Sequence, residues 1–403
     1  MAGGGGAARL LGRARAGAGA AGGVVVRGLL GRGAAAGAAG PGPGAGPGPR
    51  PGPGAGAGAG AGPSVGVEPG SPLEATARAL AADLPHLFDD VGIDRGMYSE
   101  EVQFEDPITR YSSLDGYLFN IQMLRRLFSP TFTLRSVRQT GDWELTTRWT
   151  MGMTFALLPW RPPLVFTGTS VMGVDPDNGK FLSHVDKWDS IEDQKYLSVE
   201  GLQDLLRQLR PSLTPDLETP GYEVLSRLTD YEVRRYEEYA VAETPVRSSA
   251  GAAAGEGFNE LAGYIFGGNA EGESMSMTTP VISWPAGARP RTRGAGGPEA
   301  EGEAGMQFVV RGRDKPRPTS GSGVRLGNEA GGLVAALRFP GLPSDAEVLS
   351  AERRLRAALD RDGLGGSNVA PGWRLARYNE PYVPAPLRRN EVLVDLVEFS
   401  FPK

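Results

Sequence analysis

The spacing of hydrophobic residues changes period within the first half of the chain. Apolar residues recur every three or four positions over 74–88 and 114–127, which predicts two amphipathic helices. The pattern then becomes strand-like and rich in Thr, Val, Phe and Trp, before a short helix expected over 199–209. The strand-like segments are 131–137, 143–151, 164–174 and 180–190. Helices followed by a run of antiparallel strands predict an α+β fold, a sheet curved into an open cone.

The second half of the chain repeats a unit made of paired strands, a helix, a turn and a strand. One helix is predicted over 258–265 and ends at two glycines, which adopt the left-handed conformation of a helix C-terminus without steric cost. A polar turn and a strand-like run over 275–282 follow, in which Pro280 indicates an edge or a bulge. The other helix is predicted over 348–359, after a capping box that begins at Ser344.

The first 70 residues consist almost entirely of Gly, Ala, Pro and Arg. Such a segment has too little apolar side chain to offset the entropy of ordering it, so we expect it to be disordered. Residues 1–67 carry six arginines and no acidic residue, which favours an organelle transit peptide over a plain tail. Composition leaves chloroplast and mitochondrion open. The Pro-Gly and Ala-Gly repeats over 40–62 are typical of a flexible spacer.

Charge and cysteine content exclude several classes of function. The net charge of −5 is the sum of +6 in residues 1–67 and −11 in the remainder, which makes the body a poor general binder of nucleic acid. The absence of cysteine excludes disulfides, thiolate metal sites, iron–sulfur clusters and cysteine nucleophiles. No P-loop or zinc-ligand spacing occurs. No apolar run approaches the ~20 residues of a membrane span, which predicts a soluble or peripheral protein.

Four blocks in the second half resemble the SOUL haem-binding domain. The most specific is the corner over 257–283, in which a helix ends in Gly-Gly-Asn and leads into Met277-Thr-Thr-Pro-Val281. The other blocks are 231–243, 332–341, and the closing pair 376–382 and 387–393 with its Arg-Arg-Asn-Glu-Val run. The resemblance implies a twisted antiparallel β-barrel flanked by two helices, with haem or another tetrapyrrole as a reversible ligand.

The resemblance also implies where the tetrapyrrole binds, in an apolar slot at the corner. Arg377, Arg388 and Arg389 are the candidate cations for its rim. For Arg388 and Arg389 the favoured alternative is a solvated surface position or an ion pair with Glu380 and Glu391. No histidine lies between 211 and 403, so strong axial ligation there is excluded; a methionine or tyrosine would coordinate only weakly. We expect loose binding through the slot alone. The predicted contacts are Phe258, Leu261, Tyr264, Ile265, Met275, Met277 and Arg377.

The first half resembles a nuclear-transport-factor-like cone domain in the block Phe104-Glu-Asp-Pro107 and the strand 181–189. Green-lineage plastid proteins carry a version of this domain without assigned activity, sometimes fused to a SOUL domain. The resemblance therefore implies a chloroplast protein. Asp106, His184 and Asp186 would form an acid–base set in a cone cavity. In the alternative, Asp106 caps the turn before Pro107 and His184 is an ordinary hydrogen-bonded strand residue.

These patterns predict a division of the chain and a preferred function. A transit peptide and spacer occupy 1–70, a cone domain 73–210, a linker 211–220 and a SOUL domain 221–403. We expect non-enzymatic tetrapyrrole binding, as a carrier, buffer or sensor, with no metal site and with a protein partner of haem metabolism. Two alternatives stay open, an acid–base enzyme acting on a small apolar ligand in the cone and a structural adaptor without ligand.

Overall fold

The structure is a computed structural model, and it describes most of the chain after residue 61. The described residues are 62–215, 217–247, 251–288, 292–293, 303–310 and 315–401. Most of the predicted transit peptide and spacer lies outside them, so that prediction stays untested. Its end differs from expectation, because Ser64–Gly66 form a strand that pairs in parallel with residues 136–138.

The first sheet is built from the strand-like segments of the first half. Its strand order among the described residues is β1-β4-β5-β6-β7-β2-β3, and the pairs β1–β4 and β2–β7 are parallel while the others are antiparallel. The β6–β7 hairpin turns at 175–179, as the Asp-Pro-Asp-Asn-Gly sequence predicts, and Gly179 supplies the positive φ of 72°. The strands are β1 (Ser64–Gly66), β2 (Tyr98–Glu105), β3 (Arg110–Tyr111), β4 (Thr131–Gly141), β5 (Glu144–Thr154), β6 (Pro163–Val174) and β7 (Phe181–Trp188).

Three helices accompany this sheet. Helix α2 (Leu114–Leu127) has the predicted bounds, and the side chain of Ser113 caps it by accepting from the backbone N–H of Gly116. Helix α1 (Glu74–Asp83) is shorter than the predicted 74–88, because Pro85 lacks a backbone N–H and the chain tightens into a 3-10 turn. Helix α3 (Val199–Gln208) is capped by Ser198. Apolar side chains of α1 and α2 pack with those of the strands in one buried cluster.

The second sheet is antiparallel throughout and strongly curled. Its strand order among the described residues is β12-β14-β10-β13-β11-β16-β17-β15-β9-β8. Helix α4 (Gly251–Ile265) packs on β10 and β13, and helix α5 (Asp345–Arg361) packs on β15 and β17. The strands are β8 (Tyr222–Arg227), β9 (Glu232–Tyr236), β10 (Tyr239–Pro245), β11 (Val281–Trp284), β12 (Thr292–Arg293), β13 (Gly305–Val309), β14 (Arg325–Glu329), β15 (Gly332–Phe339), β16 (Arg374–Arg377) and β17 (Asn390–Leu396).

The predicted α+β class is confirmed, with a helix-bearing sheet followed by a curled antiparallel sheet that carries two helices on its outer face. The capping box of α5 is present, since the Ser344 and Glu347 side chains bond reciprocally with the backbone. The predicted strand over 275–282 is wrong for most of its length. Only Val281–Trp284 pair in the sheet, because the side chains of Thr278 and Thr279 bond to backbone carbonyls instead and Pro280 has no donor.

The two sheets share a buried polar interface. The Arg148 guanidinium on β5 donates to Asp189, which follows β7, and Asp189 accepts from the Ser226 hydroxyl on β8 at 2.8 Å. Arg227 makes a bidentate pair with the fully buried Asp204 of α3, at 2.8 and 2.9 Å. Ion pairs as deeply buried as these are tolerated only when their geometry is good, because the desolvation of both charges opposes their attraction. The linker predicted over 211–220 stays a prediction. Backbone hydrogen bonds join this segment to residues 279 and 387.

We predict that Arg148→Met destabilises the protein by about 3–5 kcal/mol, because it leaves the Asp189 carboxylate buried without its cation. The side chains of this pair are only 5% and 6% exposed. Chemical denaturation of the full chain measures the loss. Arg78→Met is the control, since its pair with Glu74 is exposed and should contribute below about 1 kcal/mol. Equal losses in the two variants would contradict a structural role for the interface.

Candidate functional site

The predicted contacts of the helix–turn–strand corner divide into buried and exposed groups. Leu261, Tyr264 and Ile265 are at most 2% exposed and belong to a closed cluster with Met306 and Phe308 of β13. Their side chains serve as core between α4 and the sheet, because the spaces around them are filled by protein. The structure therefore gives these three residues a packing role, and their predicted ligand contacts stay untested.

An apolar strip along one flank of the same helix is partly exposed to solvent. Phe258, Ala262 and Phe266 lie four residues apart along α4 and its end, so they share one face. Phe258 is 38% exposed and packs edge-on against Phe308, while Phe266 is 63% exposed. Met275 and Met277 are half-buried and pack at the border of the cluster beneath the strip. Phe266 escaped the sequence analysis, although its four-residue spacing from Phe258 was the available signal.

Two arginines lie at the helix–turn–strand corner. Arg377 is paired across the strands with Val281, on the outer face of the sheet, and donates to the Ser283 hydroxyl at 3.1 Å. Burial lowers its pKa, and Asp345 partly opposes that shift. Arg317 contacts the turn that follows Phe266, where its exposed side chain donates to Glu271 at 2.8 Å. Sequence analysis missed Arg317, because a loop some fifty residues away in sequence brings it to the corner.

The predicted alternative for Arg389 is confirmed, and the ion pair lies inside the curled sheet. Glu391 is 0% exposed and accepts from Arg234 at 2.6 and 2.9 Å, from Arg389 at 2.7 and 2.9 Å, and from the Tyr378 hydroxyl at 2.8 Å. Burial alone would raise the pKa of Glu391, but the two guanidinium groups outweigh it and hold that pKa well below its usual range. Arg388 instead donates to the carbonyls of Pro381 and Val383.

A second set of buried ion pairs lies in the same interior, around Arg374. Arg374 donates to Glu329 at 2.8 Å and also to Asp395, and both arginine and glutamate side chains are 5% exposed. The cavity beside them has a volume of about 20 Å³, room for about one water molecule. Four tyrosines contribute to its lining, namely Tyr222, Tyr236, Tyr239 and Tyr378. A macrocycle has no space in this cavity.

The candidate acid–base residues of the first sheet lie close together. His184 Nε2 is 2.9 Å from Asp186 Oδ1, which accepts from the Ser170 hydroxyl at 2.6 Å. The His184 ring is 4% exposed and lies edge-on to the rings of Phe104 and Tyr117. His184 is therefore a hydrogen-bonded strand residue, as the alternative interpretation has it. Its pairing with a carboxylate also keeps the enzymatic interpretation open.

Asp106 caps the turn that includes Pro107, as the alternative interpretation predicts. Its carboxylate accepts from the backbone N–H groups of Ile108 and Thr109, at 2.7 and 2.5 Å, and from the Thr109 hydroxyl at 2.8 Å. Burial raises the pKa of Asp106 to about 6, against the opposing effect of these hydrogen bonds and with a small addition from the charge of Asp186. A carboxyl group with such a pKa can exchange a proton near neutral pH.

Part of each half of the chain matches a protein family. Residues 217–395 match the family described as SOUL heme-binding protein, and residues 74–184 match a family described as an uncharacterized conserved protein, DUF2358. The second half is therefore a SOUL domain, which confirms the resemblance drawn from its motifs. Membership of this family supports the binding of haem or another tetrapyrrole in general. No curated protein matches the chain.

Several solved structures are similar to part of the chain. An NTF2-like protein of unknown function from Exiguobacterium is 16% identical and covers 27% of this chain and 95% of its own, with a TM-score of 0.23. A putative polyketide cyclase from Bacillus cereus is 17% identical, covers 36% and 89%, and has a TM-score of 0.27. TsrD from Streptomyces laurentii is 15% identical, covers 34% and 96%, and has a TM-score of 0.26.

We predict that the pH dependence of stability changes in Asp106→Asn. The pKa of Asp106 is about 6 when folded and ordinarily 3.8, so the unfolded chain releases this proton at lower pH than the folded one. The group therefore favours folding at low pH, and its contribution falls by up to about 3 kcal/mol as the pH rises from about 4 to about 6. Denaturation of both proteins across this range measures the difference. A wild-type stability that rises relative to the variant over this range would contradict the prediction.

Proposed function

We propose that this SOUL-domain protein binds haem or another tetrapyrrole reversibly on the exposed apolar strip of α4, as a carrier, buffer or sensor and without catalysis. The observation that carries the proposal is the contrast between the two sides of the curled sheet. The interior is filled by ion pairs and tyrosines around a cavity of about 20 Å³. The outer corner instead presents Phe258 and Phe266 to solvent beside two methionines.

The strip fits one face of a planar apolar macrocycle. Phe258, Ala262 and Phe266 extend over about 12 Å of helix at 1.5 Å per residue. Met275 and Met277 border it with flexible, polarizable side chains that adapt to the shape of a ligand. Covering apolar surface contributes about 2.5 kcal/mol for each 100 Å² removed from water. Burial of the macrocycle therefore supplies the binding free energy in this proposal.

Charged groups at the border suit the carboxylates of a tetrapyrrole. Arg317 is highly exposed and can exchange its contact with Glu271 for a ligand carboxylate, since guanidinium groups bind carboxylates in a bidentate manner. Arg377 lies beside Val281, at the edge of the apolar cluster under α4. We propose these two arginines as the carboxylate contacts. α4 itself has no lysine or arginine, so the cations come from neighbouring segments.

Iron ligation plays no part in the proposed binding. The sequence contains no histidine or cysteine between 211 and 403, and methionine or tyrosine would ligate iron only weakly from the strip. Metal-free porphyrin should therefore bind about as well as haemin. This property suits a carrier or buffer, because a ligand held by its macrocycle dissociates readily.

A second candidate function is acid–base chemistry in the first sheet, on a small apolar ligand. The observation that favours it is the Asp186–His184 pair together with a pKa of Asp106 of about 6. The shared interface of the two sheets also suits an adaptor that presents the SOUL domain to a protein partner of haem metabolism.

We further propose a chloroplast location, with the mitochondrion as alternative. The proposal rests on the N-terminal composition, which contains arginine and no acidic residue.

Absorbance titration of the full-length protein with haemin and with protoporphyrin tests the ligand proposal. We predict dissociation constants within about threefold of each other, a difference below about 1 kcal/mol, because burial of the macrocycle rather than iron ligation supplies the binding free energy. A Soret band of six-coordinate bis-histidine haem, or binding that requires iron, would show that the proposal is wrong.

Two matched phenylalanine variants then locate the site. Phe266→Asp places a carboxylate within the proposed contact and should weaken porphyrin binding at least about tenfold. Phe119→Asp is the control, because Phe119 is similarly exposed, at 59%, on α2 of the first sheet. Both changes lie at exposed positions and should alter stability by little. Equal porphyrin affinity in the two variants would remove the strip as the binding site.

A further inference from the structure

Helix α3 exposes apolar side chains that no described part of the chain covers. Val199, Leu202 and Leu206 lie on one face of this helix and are 68%, 53% and 56% exposed. The opposite face is buried through Gly201 and Asp204. A helix with one buried face needs no second apolar face for its own stability. Its exposed leucines therefore indicate an interaction surface.

The loop before β6 extends this surface. Its Trp160 indole N–H donates to the Leu209 carbonyl at 3.1 Å, which ties the loop to the end of α3. The backbone N–H of Val165, near the start of β6, donates to the Gln208 side chain at 2.8 Å and holds the strand after the loop against the same end of α3. Leu157, within the loop, is 68% exposed. The loop and the helix thus present one apolar ridge rather than two separate patches.

Backbone strain marks the same surface. Arg161 has a φ of 40° and Leu197 a φ of 56°, and they are the non-glycine residues with positive φ among those the structure describes. Side chains as large as these adopt that region only when the surroundings impose it, at a cost of stability. Arg161 belongs to the apolar loop and Leu197 directly precedes α3, with its side chain 66% exposed. Such strain is characteristic of functional surfaces.

The C-terminal end of the ridge is positively charged, opposite in sign to the body, whereas the first turn of α3 carries Glu200. Arg161, Arg207 and Arg210 are exposed around its C-terminal end. The acid within this part of α3, Asp204, is fully buried and neutralised by Arg227. Residues 68–403 carry a net charge of −11, so a local excess of three arginines stands out. Arginines around exposed leucines and a tryptophan are typical of segments that lie in the headgroup region of a membrane.

We propose that this ridge docks the protein on the surface of an anionic lipid bilayer. Leu157, Leu202 and Leu206 would enter the boundary between headgroups and acyl chains, while the arginines contact lipid phosphates. The exposure of these leucines favours a bilayer, because side chains more than half exposed insert into a fluid interface without a preformed pocket. The association is peripheral: no helix among the described residues is long and apolar enough to cross a membrane.

Vesicle flotation of the full-length protein tests the proposal. We expect it to float with vesicles of equal phosphatidylcholine and phosphatidylglycerol, and to bind vesicles of phosphatidylcholine alone at least about tenfold more weakly, because three arginines lose their anionic partners. High salt should reduce the binding to the anionic vesicles. Equal binding to both lipids, or binding to neither, would overturn the proposal, and the latter result would assign the ridge to a protein partner.

Paired leucine variants locate the contact. Leu202→Ser with Leu206→Ser should abolish flotation while the melting temperature stays close to that of the wild type, since both side chains are already exposed. Leu342→Ser with Leu349→Ser is the control, at exposed leucines of the SOUL domain, and should float as the wild type does. Flotation of the α3 variant at the wild-type level, or an equal loss in the control, would contradict docking through this ridge.

Discussion

The fully buried carboxylate of Glu391 is the constraint on which the SOUL half of the molecule depends. It ties three strands together, because Arg234 belongs to β9, Glu391 to β17 and Tyr378 to the end of β16. A buried charge is tolerated only when it is paired and hydrogen-bonded, and this one has two guanidinium groups and a hydroxyl. The interior of the curled sheet therefore combines buried ion pairs with a small apolar cluster, and it leaves a cavity of only about 20 Å³.

These interior ion pairs limit where an apolar ligand can bind. A ligand inside the curled sheet would have to break buried ion pairs. Each broken pair would leave a buried charge without its partner. The outer face carries a larger apolar cluster under α4, and Phe258 and Phe266, on the helix and at its end, stay exposed beside that cluster. Fold and proposed function are thus linked, since the residues that stabilise the interior also direct the macrocycle to the surface of the helix.

Sequence patterns predicted the parts of the structure that depend on local chemistry. The bounds of α2, the hairpin turn at 175–179 and the pairing of Arg389 with Glu391 all follow from spacing or from neighbouring residues. Long-range contacts were beyond such patterns. The Arg234–Glu391 pair joins residues 157 positions apart, and Arg317 reaches the corner through a loop. The inward direction of Leu261 and Ile265 was equally hidden, because helical spacing marks an apolar face without saying what covers it.

Methyl NMR of the full-length protein, titrated with metal-free protoporphyrin, tests the central claim most directly. The ring current of a porphyrin shifts methyl signals only over a short distance, so it reports which side of the sheet the ligand occupies. We predict large shifts for the methyl groups of Met275 and Met277 at the outer corner, and unchanged signals for Ile282, which lines the interior cavity. Large shifts of Ile282 with unaltered methionine signals would contradict binding on the exposed strip of α4.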